Sequence, residues 1–87
     1  MCTYRTVRTA VAGSAKGFGG RWFSVTDATV YYDHSVHAMA EHMLNIDLAD
    51  PGAGPSARVA VELTADAARA LVAAMTAALE DAPAALT

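Results

Sequence analysis

The sequence predicts an α+β fold: an antiparallel four-stranded sheet with one C-terminal amphipathic helix packed on one face. Three observations carry that prediction. Ala57, Val59, Val61 and Leu63 alternate cleanly with Arg58, Ala60 and Glu62, the period of a strand with one buried face. Ala68, Leu71, Val72, Met75, Ala78 and Leu79 then recur at helical spacing. The run Asp50-Pro51-Gly52-Ala53-Gly54-Pro55 is dense in turn residues and too short for a crossover, so the strands it joins run antiparallel.

Taken in order, residues 3–12 are rich in Thr, Val and Tyr and suit a first strand with two partly apolar faces. Residues 13–20 hold four glycines, which frees the backbone for positive φ and predicts a hairpin loop. Its spacing matches neither a dinucleotide fingerprint nor a P-loop. Phe18 is expected to pin this loop to the body.

Residues 22–32 give the strongest strand signal. Trp22, Phe23, Val25, Val30, Tyr31 and Tyr32 all favour a pleated surface. The pair Thr26-Asp27 interrupts the apolar pattern and marks a bulge or short break. Trp22 is expected to pack. Residues 34–41 lose the alternation. It returns at His42, with Leu44, Ile46 and Leu48 on its side and Met43, Asn45 and Asp47 on the other. The fourth strand ends at Leu63. Thr64 then sits where an N-cap belongs, Asp66 falls in the first helical turn, and Pro83 lies beyond the stop near Asp81. Met75 belongs to the expected core.

The chain has 87 residues, which predicts one domain spanning 1–87. A domain of this size has a modest core of its own. One helix cannot cover both sheet faces, and charged residues are only 17% of the chain, below the usual quarter. A homodimer is therefore expected. The net charge of −3, with no basic run or stripe, predicts no nucleic-acid partner. No apolar run approaches the ~20 residues of a membrane span, and no signal-peptide pattern opens the sequence. The single cysteine, Cys2, allows no intrachain disulfide. A cytoplasmic location is expected.

Chemistry concentrates in one stretch. His34, His37 and His42 are all the histidines of the chain, and Asp33 and Glu41 stand among them. Imidazole is the commonest neutral metal ligand, and a catalytic zinc centre uses three protein ligands and an open position. The expected metal ligands are His34, His37, His42 and Cys2, with zinc or another divalent transition metal as the ion. Asp33 and Glu41 are the candidate catalytic carboxylates, as general base or as partners that orient an imidazole. The spacing is not H-E-x-x-H, and no zinc-ribbon cysteine pairs are present. Two alternatives stand beside metal binding. One is a metal-free binder or enzyme for a small molecule, working through a histidine–carboxylate pair. The other is a structural dimeric interaction module. Whether the chain is an enzyme stays open at this level.

Met1-Cys2-Thr3-Tyr4, Val30-Tyr31-Tyr32-Asp33-His34-Ser35-Val36-His37, Glu41-His42, Leu44-Asn45-Ile46-Asp47 and residues 55–63 together resemble a family of small actinobacterial proteins whose function is unassigned. In that family pattern proline is frequent at the positions of Ser35 and Met39, where this chain departs from it. The resemblance implies a compact cytoplasmic protein and no activity. It also implies that Cys2, Asp33, His34, His37, Glu41 and His42 belong to the shared pattern.

Overall fold

In the computed structural model, residues 4–34 and 42–87 are described. The strands are β1 (Thr6–Lys16), β2 (Trp22–His34), β3 (His42–Ala49) and β4 (Arg58–Leu63), followed by the helix α1 (Ala65–Asp81). They form one antiparallel sheet in the order β1-β2-β3-β4, so each strand pairs with its chain neighbour. No helix among the described residues is long and apolar enough to cross a membrane.

β1 runs four residues past the expected end. Gly13, Ser14, Ala15 and Lys16 pair with Val25, Ser24, Phe23 and Trp22. The strongly β-prone partner strand outweighs the low strand preference of Gly13. The irregularity expected at Thr26-Asp27 lies in β1 instead. Between Ala10 and Gly13 the register shifts, so Val11 and Ala12 stand opposite Thr26. The extra residue is carried by the glycine-containing strand, and β2 alternates without a break.

Gly19 and Gly20, at φ 68° and 73°, turn the chain back into β2. Phe18 occupies the outer corner of this turn, is 81% exposed and does not pin it. The packing side chain is Phe23, against which Gly17 sits so closely that a Cβ there would lie 2.9 Å from the ring. Trp22 is also exposed rather than packed. It faces Lys16 across the hairpin, and the ammonium lies 5.5 Å from the ring centroid, within cation–π range.

Cross-strand partners share a face, so the register defines two surfaces. One is apolar, with rows Val7-Val30-Ile46-Val61, Tyr32-Leu44-Leu63 and Ala28-Leu48-Val59. The other is polar over β2–β4, with rows Tyr31-Asn45-Glu62, Thr29-Asp47-Ala60 and Asp27-Ala49-Arg58. Asn45 is buried there, and its side-chain amide donates to the Met43 carbonyl at 3.1 Å.

The helix starts where the cap residue places it. The Thr64 hydroxyl oxygen accepts from the Ala67 N–H at 3.1 Å, and Asp66 lies in the first turn. Ala65 and Ala68 approach Tyr32 and Leu44 on the apolar face. Beyond that first contact the helix is open to solvent: Leu71, Val72, Met75 and Leu79 are 43%, 63%, 57% and 66% exposed. Met75 is therefore not core. A 17-residue helix is about 25 Å long, while four strands span only about 14 Å across the sheet. Among the described residues the buried apolar side chains are Val25, Ala28, Met43, Ala57 and Ala68, a small core dominated by alanine.

Candidate functional site

β2 ends on His34 and β3 begins on His42, and these two residues are register partners. Antiparallel pairing sets both imidazoles on the apolar face, at the end of the sheet next to Tyr32 and Leu44. The ring centroids are 4.5 Å apart with an interplanar angle of 30°. His42 also stacks on Tyr32 at 5.9 Å and 16°. Tyr4 closes the group, at 6.1 Å from Tyr32 and 6.4 Å from His42. His34 is exposed and His42 half-buried.

Asp33 lies on the other face, as the partner of Met43. Its carboxylate Oδ1 accepts from the backbone N–H of His34 at 2.7 Å, which fixes the strand end just before the imidazole. The geometry thus gives Asp33 a backbone role and joins His34 to His42. Cys2, His37 and Glu41, the other expected site residues, lie outside the described residues. Tyr4 was not singled out by residue chemistry. The alternation of residues 3–12 assigns it to the first strand, on the side of Thr6; in the structure it precedes β1, and only the folded arrangement brings it to the histidines.

Two nitrogens bound tetrahedrally to zinc at 2.0–2.1 Å are about 3.4 Å apart. Rings whose centroids stand 4.5 Å apart can reach that separation. Two imidazoles form half a tetrahedral set. Among the described residues no group of three or more His, Cys, Asp or Glu side chains is placed to hold a metal ion.

A hollow of about 430 Å³ adjoins the site, between Tyr32 and Leu44 of the sheet and Ala65, Ala68 and Arg69 of the helix. On the polar face a second hollow of about 340 Å³ lies over Tyr31, Asn45, Asp47 and Arg58, with no imidazole among its described lining residues.

No curated protein and no solved structure matches the chain. A family model does, over residues 1–87. The chain therefore belongs to a family of unknown function, DUF6295.

Proposed function

We propose that this protein binds a divalent transition metal, zinc by preference, through His34 and His42 at the β2–β3 end of the sheet. The supporting observation is the cross-strand pairing of these imidazoles on one face, 4.5 Å apart. Imidazole nitrogen suits zinc better than the hard cations, which take oxygen ligands. The sequence offers Cys2, His37 and Glu41 as further donors. A lone thiol stays reduced in the cytoplasm, which is where this reading puts the protein. With one coordination position left to water, a zinc centre also activates that water near neutral pH.

The hollow beside Tyr32 favours a second reading, a metal-free small-molecule site in which His42 exchanges protons with the ligand. Metal content separates the two. The protein is purified without a nickel column and its metal measured by plasma mass spectrometry before and after zinc addition. The metal reading expects about one zinc per site and a raised melting temperature. His34→Ala and His42→Ala should each abolish both effects. Substoichiometric metal, unchanged by added zinc, rejects the metal reading and leaves the second.

A further inference from the structure

The apolar stripe of α1 stands apart from the histidine site and has its own explanation. From Ala70 to Leu79 the helix carries no ionisable side chain. Its one polar side chain, Thr76, donates its hydroxyl to the Val72 carbonyl at 3.0 Å and asks nothing of water. A helix that is apolar on all sides is a buried helix, yet Leu71, Val72, Met75 and Leu79 are exposed.

The missing cover has a size. The chain exposes 6491 Å², whereas a compact chain of 9.0 kDa exposes about 4,900 Å². The excess, about 1,600 Å², is shared between α1 and other exposed apolar side chains such as Phe18, Trp22 and Leu86, and is of the size each copy buries in an obligate homodimer, roughly 1,000–2,500 Å². The radius of gyration, 14.4 Å, likewise exceeds the ~12 Å of a compact domain of this length.

The charges that flank the stripe indicate its occupant. Arg69 stands at one end, loosely paired with Asp66 at 3.4 Å across exposed surface, and Glu80 and Asp81 stand at the other. Eleven residues are three turns of helix plus about 20°, so Arg69 and Glu80 lie on the same flank. In an antiparallel two-fold pair the same flanks meet. Centring the axis near Met75 brings Arg69 of each copy to Glu80 of the other, and Leu71 to Leu79. The same acids disfavour an anionic lipid surface, which draws Lys and Arg instead.

We propose that a second copy of this chain covers α1, the two helices packing antiparallel about a two-fold axis near Met75, with Arg69 of each copy beside Glu80 of the other. Such a contact is self-complementary, as a two-fold interface must be. Val7 and Val61, also exposed on the apolar sheet face, add to the surface that the second copy can reach.

The experiment is light scattering and sedimentation equilibrium on the full chain, with circular dichroism to confirm folding. The expected mass is about 18 kDa, twice that of the 9.0 kDa chain. A folded species of one-chain mass at tens of micromolar overturns the proposal, as does a chain that folds only with a different protein. Arg69→Glu and Glu80→Arg should each weaken the dimer by roughly tenfold at low salt, the contact occurring twice. The double variant should return it to within about twofold of the starting value. A dimer indifferent to both single changes, as one formed along the β1 edge would be, overturns the helix arrangement.

Discussion

Arg58 reaches diagonally across β3 and β4 to Asp47: its Nε and Nη2 both donate to the same carboxylate oxygen, at 3.0 and 2.6 Å. Their register partners are Ala49 and Ala60, so no bulky side chain lies across from either. The Asp47 side chain is 19% exposed and that of Arg58 55%, which leaves the pair partly screened. A double-mutant cycle with Asp47→Ala and Arg58→Ala should give a coupling of about 0.5–1 kcal/mol. Urea denaturation measures it, and the coupling should shrink in 1 M salt.

The cap of α1 gives a second expectation. Thr64→Ala removes the acceptor for the Ala67 N–H and should destabilise the protein by about 1 kcal/mol. Thr64→Ser, which keeps the oxygen, should cost little. Thermal melts of the three proteins under one condition decide it.

Gly54 has φ 99° and ψ 174°, a region that residues with a Cβ rarely enter. No atom crowds the position, so the effect of a substitution there is backbone strain. Gly54→Ala should cost about 1–3 kcal/mol. Gly52→Ala, where φ is not positive and the nearest contact is an ordinary 3.5 Å, should be milder. The difference in denaturation midpoints is the measurement.

Zinc should stabilise the folded protein by about 2.7 kcal/mol when free metal is 100 times Kd. The gain should vanish in either His34→Ala or His42→Ala, and the two losses should not add, because one ion needs both rings. Calorimetry with and without a chelator reads this directly.

Protons compete with a metal for imidazole nitrogen. The zinc-dependent rise in melting temperature should therefore shrink as the pH is lowered. The sign follows from neutral imidazole being the ligand form: acid removes the ligand, so metal-linked stability falls as pH falls. A rise that persists at low pH would point to carboxylate donors instead.

What the sequence revealed, it revealed through local chemistry. Thr64, Asp66 and Pro83 bound the helix because capping depends on a few neighbouring residues. The alternation through β4 and β3 shows which side chains share a face, and so puts His42 with Leu44 and Ile46. The bulge did not appear in the pattern because it depends on pairing. Thr26 interrupts the apolar rhythm of β2, but the extra residue belongs to β1. Gly13 to Lys16 reads as loop in isolation and is strand beside Trp22–Val25.

The site was legible to the same degree. His34 and His42 meet because two strands end and begin on them in register. Asp33 is one step along the strand from His34 and so lies on the opposite face, as the partner of Met43. Met75 and Leu79 have the spacing of core residues yet are exposed, because spacing shows which side chains share a helix face and not what covers that face.

The meander order has a consequence for synthesis. Each strand finds its partner immediately upstream, so the sheet closes by a series of short-range steps, the kind that proceed quickly. The hairpins can zip up while the polypeptide is still being made, before α1 has emerged. The apolar helix follows all four strands in chain order, so it is made after the segments that form the sheet.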